Sequence, residues 1–386
     1  MRYKLRSSAD VVIIGGGIIG FSVAFHLARA KFGQIVVVDK GSVIGDGSTS
    51  QAAGGIRAQF AQKANIEMSI ISENFFENFE EETGHEALFE QVGYLFLLSD
   101  DDQVSSFKKS YELQKSLGLP VELLKPDDIA KIVPHVRLDD IKLGTFCKKD
   151  GISDQWEFLS GFEKAAKQMG VVVELEAEVE SIDVESGKIS GVRTKRGHIK
   201  TPLVINCAGP YAKMIGKMVG AEVKVEPYKR QIVNTAELDF LKAGIPMVVD
   251  VKSGLYCHKE GSGLLLGWAD KERAPSFDIS VDPDYTDEIL ERALDRIPQL
   301  ETAKIANQWA GLYESTPDHQ AIIGWEPKVE GMFHCCGFSG HGIMHAPAAG
   351  LVTAEILAGK ETTNDISSYA PERFAKGVFV VESNVI

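Results

Sequence analysis

Toward its carboxyl end the chain reads CCGFSGHGIMHAP (residues 335–347), in which Gly337, Gly340 and Gly342 surround a single imidazole, His341. That pattern is open to three readings: a proton-shuttling histidine, a metal ligand, or a plain tight turn. A metal would need ligands at suitable spacing, and neighbouring His334 and His345 form no recognisable set with it. A second group of chemically suggestive residues lies at the other end. Gly15, Gly17 and Gly20 fall as GxGxxG, and Asp39 follows nineteen positions after Gly20. Gly15 permits a tight turn, Gly17 lets backbone approach a pyrophosphate at a helix N-terminus, and Gly20 lets helix and strand pack closely. Ile18 and Ile19 open that helix, and Lys40 follows the acid. A carboxylate at position 39 accepts hydrogen bonds from ribose hydroxyls and disfavours a 2′-phosphate, which leaves NAD or FAD.

The elements needed to position these residues are legible around them. DVVIIGGG is a β-branched run into glycine, IIGFSVAFHLARA has helical spacing of Ile19, Val23 and Leu27, and QIVVVDK is a second buried strand. The apolar stretch 11–28 imitates a signal sequence or membrane span. It carries four glycines and His26, an acidic residue precedes it, and no small-residue cleavage site follows, so strand, turn and helix is the better reading. At 386 residues, 44% apolar and a quarter charged, the chain has the composition of a soluble globular protein of roughly two domains. A net charge of −14 with no Lys/Arg block argues against nucleic acid. Five cysteines without a CxxC pair support neither a disulfide framework nor a zinc site, and make a reducing cytoplasm the natural compartment. Cys335 and Cys336 read as small apolar strand residues.

Residues 45–60, GDGSTSQAAGGIRAQF, set Ser48, Thr49, Ser50, Gly54 and Gly55 before Arg57. Such a segment can lie flat against an extended cofactor, its hydroxyls reaching phosphate or ribose. Together with QVGYLFLL (91–98), DGISDQWEFLSGFEKAA (150–166), VINCAGPYA (204–212), VEPYKRQ (225–231), GLYESTPDHQAIIG (311–324) and GFSGHGIM (337–344), it resembles the FAD-dependent D-amino-acid oxidase, sarcosine oxidase and glycine oxidase family. The likeness is greatest to β subunits of heteromeric sarcosine oxidase and archaeal dye-linked L-proline dehydrogenase.

The resemblance implies an α/β fold, α+β overall. A Rossmann-like FAD-binding domain would be assembled from discontinuous segments (1–85, 150–222 and 322–375), and a substrate domain (86–149 and 223–321) would carry a large, mainly antiparallel sheet. It implies cofactor contacts from the residues above and from Val179 at the adenine edge, Ala208, Gly209, Gly311, and the run Gly337, Phe338, Ser339, Gly340, His341, Gly342, Ile343 and Met344 along the flavin. Arg57 falls on the family's substrate arginine, and a guanidinium suits a carboxylate because it binds bidentately and stays charged. Tyr256 and Tyr313 align with pocket aromatics, and Phe60 stands where the family often has tyrosine. In the GFSGHG loop, Gly340, His341 and Gly342 would give donors to the pyrimidine side, an electrostatic role.

Three departures from the oxidases carry meaning. Leu265 replaces a lysine that promotes reaction with oxygen, Met344 replaces a carboxylate-binding lysine, and Gly311 replaces the cysteine that bonds flavin; a histidine anchoring a second flavin corresponds approximately to Ser153. FAD is therefore expected to be non-covalent, as is any FMN at an interface with a partner subunit. The implied activity is oxidation of the C–N bond of a small secondary or cyclic amino acid, L-proline or sarcosine, to the imine, in a catalytic β-type subunit passing electrons to a partner α-type subunit or another acceptor. The alternatives are an oxygen-using sarcosine or glycine oxidase and a non-catalytic flavin electron-transfer subunit. The tail from residue 376 reads as an extra strand, a frayed end or a docking surface.

Overall fold

The amino-terminal run folds as the strand Val11–Ile14, a glycine turn, and helix α1 (Ile18–Arg29). A computed structural model of the chain describes residues 5–241, 244–270, 273–377 and 379–384. Val11–Ile14 sits inside a six-stranded sheet of order 322–325, 332–336, 204–206, 11–14, 35–38, 172–174, parallel except where Ile322–Trp325 runs against Met332–Cys336. Strands covered on both faces need unbroken apolar runs rather than alternation, which is why VVII and IVVV are buried throughout.

The two faces find different partners. Val11, Ile13, Ile35 and Val37 pack with α1, with helix α2 (Lys63–Glu77) and with helix α3 (Gly342–Leu357). Val12, Ile14, Val36 and Val38 pack against a three-stranded meander, Val179–Glu185, Lys188–Thr194 and Gly197–Lys200. Its first turn is made by Ser186 and Gly187, both at positive φ, as the Ser-Gly pair predicts.

A second sheet has eight strands in the order 305–315, 226–235, 263–268, 255–260, 247–250, 94–98, 143–147, 121–124. It is antiparallel apart from the pairing of Met247–Asp250 with Tyr94–Leu98. This is the mixed architecture the sequence implies, a Rossmann-like sheet joined to a large antiparallel one. Alternation divides its faces: Leu95, Leu97, Val248, Leu255 and Leu264 bury against the helix Pro283–Arg296, while Tyr94, Phe96, Met247, Tyr256 and Leu265 form the opposite layer. All five cysteines are buried free thiols. No helix among the described residues is long and apolar enough to cross a membrane.

The tail departs from the sequence expectation. Phe379, Val380 and Val381 are exposed, whereas Glu382 and Asn384 are buried. The Glu382 amide donates to Asp318 O at 3.0 Å, and Gln320 Nε2 donates to Val380 O at 3.1 Å. Polar residues, not apolar ones, fix this segment to the chain.

Candidate active site

One cleft of about 370 Å³ runs between the two sheets. Its far end is formed by Asp39, Lys40 and Val179, its middle by Gly15, Gly17, Ile18, Ile19, Ser48, Thr49, Ala208 and Gly209, and its near end by Gly311, Tyr256, Tyr313, Gly340, Gly342 and Ile343. The helix ends explain why it suits an extended anion. Neither α1 nor α3 has a side-chain N-cap hydrogen bond from its capping residue, Gly17 or His341. First-turn N–H groups lack intrahelical acceptors and lie at the positive end of the helix dipole. Two such ends, at Gly17–Ile19 and Gly342–Ile343, meet the same cleft.

The sequence-predicted cofactor residues hold one another in place. Asp39 accepts the N–H of Gly16 at 2.6 Å and of Gly41 at 2.7 Å, one on each oxygen, so each oxygen keeps acceptor capacity. Thr49 Oγ1 accepts the Ile18 N–H at 3.1 Å, and Ser48 Oγ donates to Leu312 O at 2.6 Å. A Cβ on Gly15 would lie 2.2 Å from the Cys207 carbonyl oxygen, at a φ of +116°. The absent side chain lets the turn close against the Cys207 backbone and leaves Gly15, Gly17 and the head of α1 bare along the cleft, so these residues fit FAD. Gly15→Ala is expected to weaken retention of FAD roughly tenfold or more, through strain at this turn, measured as flavin lost on dilution of the holoenzyme.

Several predicted residues stand behind the cleft rather than in its wall. Gly20 packs against Gly15, and Ser50 donates to Gly47 O. Gly54 lies against Ser153, Gly55 against Tyr94 and Met247, and Gly337 against Thr316. Phe338 belongs to the core, and Ser339, at φ +52°, accepts the Thr316 N–H on its hydroxyl at 3.1 Å. Met344 is likewise a core residue, and Leu265 is buried with Tyr256 and Phe96. His341 serves the turn: its amide donates to Phe338 O at 2.8 Å and its ring sits edge-on to Phe60, centroids 4.9 Å apart. Burial, then Arg57 and His345, hold its pKa well below the usual imidazole value, so the ring is neutral. The backbone of Gly340 and Gly342, not the imidazole, lines the cleft.

Arg57 lies outside the cleft wall. The residue is 1% exposed, and its guanidinium lies 4.0 Å from the centre of the Phe60 ring and donates to Gln59 O at 3.1 Å and to Asn384 O at 2.5 Å. The tail carbonyl accepts from a guanidinium donor that a substrate carboxylate was expected to meet.

The arginine in the cleft wall is Arg230, which the sequence reading quoted within VEPYKRQ without assigning it a role. It stands on the 226–235 strand, directly opposite Gly311, and strand alternation puts Ile232 beside it. Its Nη1 donates to Lys229 O at 3.0 Å, its guanidinium lies 5.1 Å from the Tyr313 ring centre, and its buried Nε has no hydrogen-bond partner among the described residues. The phenols of Tyr256 and Tyr313 are raised, chiefly by burial, and remain hydrogen-bond donors. The Tyr313 ring rests on Gly340, where a Cβ would come within 2.4 Å of it at a φ of +87°. Glu314 also lines this end and was not foreseen; a lone acid directly after the apolar run WAGLY was the available signal.

The chain is 30% identical over 430 residues to FAD-dependent oxidoreductase domain-containing protein 1 of Xenopus laevis, covering 98% of this chain and 85% of that protein. It is 29% identical to mitochondrial dimethylglycine dehydrogenase of Rattus norvegicus, covering 96% of this chain but 45% of the relative. Among solved structures, L-proline dehydrogenase from P. horikoshii superposes with a TM-score of 0.91 at 34% identity, over 97% of this chain and all of the other. The family described as DAO, FAD dependent oxidoreductase, matches residues 10–356, and the chain belongs to it.

Proposed function

We propose that the protein is an FAD-dependent dehydrogenase that oxidises the C–N bond of a small secondary or cyclic amino acid, L-proline or sarcosine, to the imine, as the catalytic subunit of its enzyme. The observation that carries this reading is Arg230, a cation with an unpartnered buried Nε, set among Tyr256, Tyr313 and Ile232 at the near end of the cleft. A buried donor without an acceptor is costly, and a carboxylate is the ligand that offers a guanidinium two. FAD held by Gly15, Gly17, Asp39, Ser48, Thr49 and the head of α3 would supply the two-electron acceptor. Arg230 orients the substrate by its carboxylate, Tyr256 and Tyr313 wall the amine side and exclude water, and the uncapped head of α3 favours negative charge beside it. Gly311 and Ser153 offer neither the thiol nor the imidazole of a covalent flavin link, and the Ser153 hydroxyl donates to Gly54 O at 2.9 Å. An acceptor other than oxygen is supported by Leu265 in place of the oxidases' lysine and by the dehydrogenases among the similar proteins.

The test is an anaerobic visible spectrum of the purified holoenzyme with L-proline and, separately, sarcosine. Bleaching of the oxidised-flavin bands by either supports the reading and chooses the substrate. A flavin unchanged by both overturns it for this chain.

A further inference from the structure

We infer that Glu314 is the proton acceptor that balances charge in the cofactor cleft, taking up one proton when the bound flavin is reduced. The inference rests on the cofactor half of the reading above, not on the amino acid. Glu314 is 8% exposed and lines the cleft, with one carboxyl oxygen 3.9 Å from where a Cβ of Gly342 would stand and the other 3.7 Å from that of Gly209. Both glycines are cleft wall, so no side chain of theirs separates the carboxyl from the volume the cofactor fits.

The hydrogen-bonding groups around it can serve either protonation state. The Phe338 N–H donates to the carboxyl, and the Ser48 hydroxyl is within hydrogen-bonding reach of it. The single Ser48 proton is engaged at 2.6 Å with Leu312 O. Turned from Leu312 O towards Glu314, the Ser48 hydroxyl donates to the carboxylate, and left where it is it can accept from the protonated acid. Burial pushes the carboxyl up to about 7, opposed by these hydrogen bonds rather than by a cation. Of the other titratable groups nearby, Tyr313 on the same strand and Cys336 on the 332–336 strand are raised by burial and uncharged near neutrality. His341 at the head of α3 is held neutral, and Arg230, across the cleft, bears on Tyr313.

Two electrons and one proton entering the ring leave one negative charge in the cleft. An ionised Glu314 beside it would place two like charges at one helix N-terminus, which raises its affinity for a proton. Above neutrality Glu314 then takes one proton from water as the flavin takes its two electrons and one proton, and cleft and ring together gain two of each.

The experiment is an anaerobic dithionite titration of the holoenzyme with reference dyes across a pH series. One extra proton per two electrons is a further tenfold in the equilibrium per pH unit, about 30 mV. The wild type should fall more steeply than Glu314→Gln by about that amount per unit above neutrality, and equal slopes overturn the inference. Should the variant not retain FAD, the reduced-minus-oxidised infrared spectrum of the wild type at about pH 8 should gain a protonated-carboxyl band that shifts in heavy water, and its absence overturns the inference. Neither readout involves an amino-acid substrate, so this idea and the proposed activity fail separately.

Discussion

Replacing Arg230 with methionine should raise the dissociation constant for L-proline or sarcosine, read from anaerobic flavin bleaching, roughly 30- to 4,000-fold. The FAD spectrum should stay intact. Losing one partner of a buried, hydrogen-bonded charge pair costs about 2–5 kcal/mol, and 1.4 kcal/mol is a factor of about ten. Methionine keeps much of the stem volume, so the packing of Ile232 and Tyr313 survives and the effect isolates the charge. Arg57→Met is the necessary contrast. Its guanidinium serves the carbonyls of Gln59 and Asn384 and the face of Phe60, so its loss should lower stability while changing substrate affinity by no more than a few-fold. The opposite pattern, affinity lost with Arg57 and kept without Arg230, would return the carboxylate to Arg57 and remove the main support for the proposed site.

The contrast between these arginines marks where sequence reading stops. Residue type was legible: a guanidinium was expected near a carboxylate, but Arg57 was the one named for it and Arg230 was given no role. What decides between them is long-range. Arg57 is engaged by a carbonyl 327 positions away, and Arg230 faces the cleft because its strand pairs with 305–315 in the register that sets it opposite Gly311. A shift of one residue would have sent it to the other face. The amino-terminal strand, helix and acid were readable because Val11–Ile14 pairs with the nearby Ile35–Val38 and Gly16 donates to Asp39, although Gly15 also answers to the distant Cys207. The GFSGHG loop was half readable. Its glycines announce a close approach, but the direction of the His341 ring depends on Phe60, brought up from the far end of the chain. The tail misled for a physical reason: apolar pattern predicts what is buried, and here FVV is exposed while an acid and an amide are enclosed.

That enclosed acid carries the largest stability effect expected outside the cores. Gln62, the residue before α2, provides no side-chain cap of its own. Glu382 supplies one from the other end of the chain, accepting from the N–H of Ala61 at 2.9 Å, of Gln62 at 3.1 Å and from Asn65 Nδ2 at 2.8 Å, and it also receives the Asn384 N–H at 2.9 Å. A carboxylate at a helix N-terminus gains both from these charge-assisted bonds and from the dipole. Glu382→Ala leaves several buried donors without acceptors and should cost about 2–4 kcal/mol, read as a lower urea midpoint with an unchanged slope. Glu382→Gln should recover only part of this, since an amide presents two donors of its own to a ring of donors. Because Asn384 O rests on Arg57, loosening the strap also uncovers that guanidinium, and Arg57→Met combined with Glu382→Ala should be less destabilising than the sum of the two. Additive losses, or a Glu382→Ala midpoint within error of the wild type, would mean that the tail lies on the protein without holding it.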